Sequence, residues 1–432
     1  MKRTRSILKS KQLLTPIGRS EDDRFKLKGL RMNKPFMNPK AMSVLLAILA
    51  SAALSAQDDL KLPELLKTLD GKRVTSPEAW RDGRRPEVLE LFRKFVYGRA
   101  PVGRPSSLRF EIRDTLEDFM SGDATRKLID IHFAGAGGRG TIHLTVFIPN
   151  KVKKPVPGFV LICNRGRENI DPERKTISGF WPAEQIVRRG YVAATFHNSD
   201  LDPDDHDGFK NGVHGIFDRK DTKRSPDAWG TIAAWAWGAS RAMDYFESDP
   251  DIDAGKMAVV GHSRGGKTAL WCGAEDERFA LVISNDSGCT GAALARRKSG
   301  ERVARINKGF PHWFCDNYKQ FNDREDELPV DQHMLIALMA PRLVYVASAS
   351  EDAWADPLGE FLACVHAAPA YELYGLEGMG TVIMPPPDRP IQAGHIGYHL
   401  RKGKHNLTEY DWNCYMDFAD KHWGRNISDS GQ

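Results

Sequence analysis

The sequence predicts an α/β domain: a mostly parallel central sheet with helices on both faces and antiparallel strands at its N-terminal edge. Three observations carry this. From Gly158 onward, short apolar runs alternate with stretches of helical spacing, the pattern of a parallel sheet with helical crossovers. Before Gly158 come three runs rich in β-formers joined by short links, which suits antiparallel neighbours. The third is local. The apolar run 257–260 leads directly into Gly261-His-Ser-Arg-Gly-Gly-Lys267 and then into a helix-like stretch. A strand, a Gly-x-Ser-x-Gly turn and a helix make a nucleophile elbow, which lifts a serine Oγ clear of the sheet.

Taken in chain order, residues 1–41 carry 12 Lys or Arg against 3 acids, and residues 42–56 are uncharged and apolar, with small residues at their end. A basic region, an apolar core and a small-residue cleavage zone are the parts of a secretory signal peptide. The apolar stretch is short for a membrane span. Met32 or Met37 is an alternative start that would shorten the basic region. The expected division is therefore a leader over 1–56 and one domain over 57–432, periplasmic or secreted, with no stable membrane anchor after cleavage. The net charge of +5 belongs to the leader; the remainder sums to −4, so a nucleic-acid footprint is unsupported. Six cysteines are too few for a disulfide scaffold in 432 residues, and no Cys-x-x-Cys pair offers a cysteine zinc site.

Residues 76–97 read as a helix opened by Ser-Pro-Glu. The three leading strands are expected over 108–115, 126–133 and 141–148. The link Gly135-Ala-Gly-Gly-Arg-Gly140 matches G-x-G-x-x-G, but Thr141-Ile-His-Leu-Thr-Val-Phe147 then alternates as a strand. That makes it a hairpin and not a dinucleotide loop, and no cofactor is expected. Further strands are expected over 159–163, 191–196, 257–260, 281–284, 343–347 and 396–400, with helices over 228–246 and 410–422. Asp202-Pro-Asp-Asp-His-Asp-Gly208 has the acids of a calcium loop. Aligned on its glycine, however, Pro203 and His214 fall at ligand positions that require acids. It reads as a hydrogen-bonded loop near the mouth of a site, and no metal is expected.

In the α/β-hydrolase fold the nucleophile is followed along the chain by an acid and then a histidine. With Ser263 as nucleophile, His405 is the base, since Arg401-Lys-Gly-Lys-His405 follows the last strand. His399 lies within that strand and reads as packing. The acid has three candidates: Glu351 and Asp352 after strand 343–347, and Asp286 after the preceding strand. Asp352 is favoured. Arg264 and Lys267 place two cations in the first turn of a helix, where the dipole disfavours them. They make sense if an anion, or a developing one, sits beside the serine.

The set Gly261–Lys267, Asp286-Ser-Gly288, Phe310-Pro-His-Trp-Phe314, Trp354-Ala-Asp-Pro357 and Gly403-Lys-His405 resembles the glucuronoyl esterases, carbohydrate esterase family 15, of bacterial type. Leu161-Ile-Cys-Asn-Arg-Gly166 and Asp207-Gly-Phe-Lys-Asn-Gly-Val-His-Gly215 are similar to its bacterial members. The resemblance implies cleavage of the ester joining (4-O-methyl-)glucuronic acid of glucuronoxylan to a lignin alcohol. It implies that Arg264 helps hold the oxyanion, that Lys267 binds sugar hydroxyls, and that Glu301 and Trp354 contact the sugar ring. Two departures stand out. Fungal members carry Glu where Asp286 stands, and the shorter side chain shifts the acid's role toward Asp352. A fungal cysteine pair beside the serine and the histidine is replaced by His262 and Asn406, while Cys289 and Cys364 keep the spacing of another family bridge. Alternatives are an acetyl-xylan or other carbohydrate esterase on the same triad, and a non-catalytic carbohydrate-binding protein on a hydrolase fold. A small acyl pocket has no need of Lys267, Glu301 and Trp354, which favours the uronate. Oligomeric state is not written in the sequence.

Overall fold

The computed structural model of the chain describes residues 60–219 and 222–424, and the leader expected over 1–56 lies outside them. Its nine strands are β1 (Arg109–Phe119), β2 (Ala124–Gly135), β3 (Gly138–Pro149), β4 (Val156–Cys163), β5 (Val192–His197), β6 (Ile252–His262), β7 (Leu281–Asn285), β8 (Leu343–Ala349) and β9 (Ile396–Arg401). They form one sheet in the order β1-β2-β3-β5-β4-β6-β7-β8-β9. β1, β2, β3 and β5 are joined antiparallel, and the six strands from β5 to β9 run parallel. The glycine-rich link is the turn of the β2–β3 hairpin, with Gly135 opposite Gly138.

The parallel strands read as unbroken apolar runs because both faces are covered. Along β4, Val160 and Ile162 enter one core while Phe159, Leu161 and Cys163 enter the other; β6 and β8 divide in the same way. The first core receives α1 (Arg85–Phe92), extended by π-type turns over Ala79–Arg84 and Arg93–Tyr97, together with α2 (Thr231–Phe246), α3 (Arg264–Glu275) and α4 (Pro357–Glu372). The second receives the short helix Ala183–Arg188 and α5 (Glu409–Trp423). Every residue of α2 is buried, and its Trp235 and Trp237 donate their indole N–H to Asp202 O and Gly103 O, each at 2.8 Å.

Two findings differ from the sequence reading. α4 was not expected, because Gly359 and Pro369 interrupt its helical pattern; Pro369 nevertheless lies inside the helix. The Cys289–Cys364 pairing is overturned: all six cysteines are buried free thiols. The Cys289 thiol sits 3.5 Å from Thr290 Oγ1, and burial pushes its pKa to about 12, so it is held as an inert side chain. Among the described residues, no helix is long and apolar enough to cross a membrane.

The loops that approach the elbow follow the C-terminal ends of the parallel strands β4 to β9. The loop after β9 is organised from within. Buried Arg401 donates to Lys404 O and Asn406 O, both at 2.9 Å, and to Lys402 O at 3.2 Å. Its charge is met by Asp411, which accepts from Arg401 Nε at 3.0 Å. Asp411 also accepts from His399 Nε2 at 2.8 Å and closes a capping box with Thr408 at the start of α5. One carboxylate thus anchors the strand, the loop and the helix around His405. Asp411→Ala removes the hydrogen-bonded partner of the buried Arg401 charge, leaving it Asp286 at 3.7 Å, and is expected to cost about 3 kcal/mol of stability. Urea unfolding of the two proteins measures this; a loss under 1 kcal/mol would contradict the anchoring role.

Candidate active site

Ser263 follows the last residue of β6 and precedes α3, with φ 57° and ψ −122°. That left-handed backbone is costly for a side-chain-bearing residue, of order 1–3 kcal/mol. The surroundings hold it: Ser263 N donates to Asn285 O at 2.8 Å, and Ser263 O accepts from Gly266 N at 2.9 Å. The turn is so tight that a Cβ on Gly261 would lie 1.9 Å from Gly265 O. Only glycine fits at 261.

His405 Nδ1 lies 2.6 Å from Asp352 Oδ2. With Nδ1 carrying the proton toward the carboxylate, Nε2 is left as the basic nitrogen. The other carboxylates do not take this place. Asp286 Oδ2 accepts from Asn406 N at 3.2 Å, and its Oδ1 is buried with no partner. Burial, and then the charges of Glu360, Asp411 and Asp352, push the Asp286 pKa well above the ordinary value, which disfavours it as a countercharge for imidazolium. Glu351 is exposed. Asp286, Asp352 and His405 each have a ligand-type atom within 4.8 Å of the others, the one such group among the described residues. Nδ1 is already engaged by Asp352 and burial opposes a charge on Asp286, so the trio is a poor cation cage.

His262 packs beneath His405, with ring centroids 4.4 Å apart. Its Nδ1 lies 2.6 Å from Asn285 Oδ1, and burial, then the neighbouring His405, lower its pKa well below the ordinary value. A neutral imidazole therefore supports that of His405.

The two cations are handled differently. Lys267 is buried and donates to Ser287 O at 2.5 Å and Cys289 O at 2.7 Å, with Glu301 3.8 Å away. Arg264 is half-buried; its Nη1 donates to Asp204 Oδ2, and its guanidinium lies 5.1 Å from the Trp313 ring centroid. Its Nε is buried without a hydrogen-bond partner. Asp204 also accepts from Trp313 Nε1 at 2.7 Å and His312 Nε2 at 3.0 Å. Burial opposes its charge, but these bonds and the Arg264 charge outweigh it and hold the pKa below the usual carboxylate value. Asp204 comes from the acidic loop 202–208, and His312 and Trp313 from the 310–314 motif.

Ser263, His405 and Asp352 share the walls of one cleft of about 380 Å³ with Arg264, Lys267, Glu301 and Trp354. Trp354 is 53% exposed at its rim. Comparison with known proteins identifies the family. A family model described as glucuronyl esterase, fungi, matches residues 134–375. A carbohydrate esterase from an unknown prokaryotic organism is 43% identical over 84% of this chain and 89% of its own length. The chain belongs to the glucuronoyl esterase family. A solved glucuronoyl esterase from Solibacter usitatus is 41% identical, covers 84% of this chain and 98% of its own, and superposes with a TM-score of 0.79. A 4-O-methyl-glucuronoyl methylesterase of Phanerochaete carnosa is 33% identical over 74% of this chain and 73% of its own. The fold is thus that of the α/β hydrolases, and this glucuronoyl esterase family member is a carboxylic ester hydrolase.

Sequence reasoning missed two acids that matter here. Asp204 gave a signal in the acid excess of its loop, but nothing indicated Arg264 as its partner. Glu360 gave none, being one carboxylate in an unexpected helix. It is buried under the loop after β7 and accepts from Ser287 N and Gly288 N, both at 2.9 Å, and from Ser348 Oγ at 2.5 Å. Glu360 below and Lys267 above therefore clamp residues 286–289 between them.

Two outcomes are expected. Gly261→Ala should yield no esterase activity and little folded protein, read by ester hydrolysis and near-UV circular dichroism. Burial raises the Glu360 pKa from 4.5 to about 7, so its contribution to stability is complete below pH 4.5 and is lost as the pH rises through 7. Glu360→Gln cannot ionise, and its unfolding free energy should fall by roughly 3 kcal/mol less than that of the parent between those limits. Urea titrations across the range measure the difference, and parallel curves would refute the assignment.

Proposed function

We propose that the protein hydrolyses the ester between (4-O-methyl-)glucuronic acid of glucuronoxylan and a lignin alcohol, through a glucuronoyl–Ser263 intermediate. The observation that carries this reading is the shared cleft. A serine–histidine–aspartate set faces a cavity far larger than an acetyl group needs, lined by Lys267, Glu301 and Trp354. A buried cation, a carboxylate and an exposed indole suit a ring bearing hydroxyls.

His405 Nε2 takes the Ser263 hydroxyl proton as Oγ attacks the C6 carbonyl, and Asp352 stabilises the imidazolium. The carbonyl oxygen becomes an oxyanion beside Arg264. Because Asp204 engages Nη1, the guanidinium is already held in place when that charge develops. His405 then returns the proton to the departing alkoxide, and the ester C–O bond breaks. Water, deprotonated by His405, adds to the acyl carbon and releases the uronic acid and free Ser263. Lys267 has a third N–H beyond its two carbonyl acceptors, and Glu301 is an acceptor, so the pair can bind neighbouring sugar hydroxyls from opposite roles. No metal or cofactor takes part in this scheme. A polymeric plant-wall substrate is met outside the cytoplasm, which agrees with the leader read over residues 1–56.

Hydrolysis of benzyl glucuronate should far exceed that of 4-nitrophenyl acetate and should vanish in Ser263→Ala. Turnover of acetate alone would move the protein to an acetyl esterase. Arg264→Ala should lower kcat about 100-fold, near 3 kcal/mol, with KM little changed. A change confined to KM would exclude the oxyanion role. Asp352→Ala should cost about 10³–10⁴ in kcat and Asp286→Ala much less; equal losses would mean that both carboxylates serve His405.

A further inference from the structure

A second cleft, of about 500 Å³, lies between residues 165–180 and 406–410, lined by Arg165, Ser178, Phe180, Asn406, Glu409 and Tyr410 among others. We propose that it receives the alcohol half of the ester, and that Arg165 selects aromatic alcohols there. The proposal rests on the ester reading above.

The departing alkoxide takes its proton from His405, so it must leave on the side of the acyl carbon that His405 occupies. The walls of the catalytic cleft come from the elbow, the loops after β7 and β8, and Glu301, Phe310 and Trp313; His405 alone comes from the loop after β9. Beyond His405, the next residue of that loop, Asn406, already belongs to the second cleft. An ester with its uronate over Lys267 and Glu301 therefore directs its alcohol past His405 into this space.

The lining suits an aryl group. The Arg165 guanidinium lies 4.5 Å from the Phe180 ring centroid, and its Nη2 is 3.3 Å from His262 Nε2. Phe180 in turn meets His262 edge-on at 5.7 Å, and His262 packs under His405. Among the described residues, no carboxylate lies within ion-pair distance of Arg165. The contrast with Arg174, bound to both Glu184 oxygens at 2.8 Å on the neighbouring stretch, is direct. A half-buried guanidinium without a countercharge offers a planar face to a π-system and N–H groups to ether or phenol oxygens. Glu409 in the same lining works against an anionic ligand, so a neutral ring is the better occupant.

The test compares benzyl and methyl glucuronate, in which the acyl half cancels. In Arg165→Gln the benzyl-to-methyl ratio of kcat/KM should fall about five- to tenfold. An unchanged ratio, or equal losses on both esters, would overturn the proposal and leave Arg165 as a support for His262. A second arm needs no turnover. Saturation-transfer NMR of cinnamyl alcohol with the Ser263→Ala chain should show binding that Arg165→Gln removes. No binding, or binding equal in both, would also overturn it. A parent protein that hydrolyses neither uronate ester would instead refute the acyl assignment, with the NMR arm still deciding the cleft.

Discussion

The turn at Ser263 constrains the rest of the site. A serine held at φ 57° between a parallel strand and a helix requires neighbours that take almost no space, which is why glycines stand at 261, 265 and 266. A Cβ on Gly266 would lie 2.9 Å from Ser287 Cβ, so the loop after β7 packs directly on the start of α3. That contact brings Ser287 O within reach of Lys267, and the loop then has to be supported from below by Glu360. The position of one serine therefore propagates through close packing into the placement of a buried cation and a buried carboxylate.

Charge around the site is balanced at the level of single side chains. Arg264 has Asp204, Lys267 has carbonyl dipoles and Glu301, Arg401 has Asp411, and His405 has Asp352. Such pairing fixes long side chains in one geometry before any substrate arrives, which is what electrostatic preorganisation requires. It also explains how two cations can stand at the positive end of a helix. Each is neutralised laterally, by groups from other parts of the chain, so the helix dipole does not have to be overcome alone. Among these cations Arg165 is the exception, with no carboxylate at ion-pair distance among the described residues, and that is what points to a ligand.

The fold was largely legible. Period-two and unbroken apolar runs gave all nine strands within a few residues, since burial on one face or both leaves that imprint directly. α4 escaped because a proline and a glycine mask a helix that packing alone stabilises. The implied Cys289–Cys364 bridge failed for a related reason. Spacing along a chain says nothing of whether two thiols face each other, and here both are buried free thiols.

By itself the sequence determined the elbow, the order of serine, acid and histidine, and the α/β architecture, because each is a local or periodic property of neighbouring residues. The tertiary structure alone decided which carboxylate meets His405. Asp286 and Asp352 both follow strands that end at the same edge of the sheet; the sequence favours Asp352 by its place after strand 343–347 but leaves both as candidates. Only the fold buries Asp286 among other acids and leaves Asp352 2.6 Å from the imidazole. The same holds for Asp204 and Glu360, whose partners lie 60 and 73 residues away along the chain. Long-range electrostatics depends on distances that no spacing in the sequence encodes.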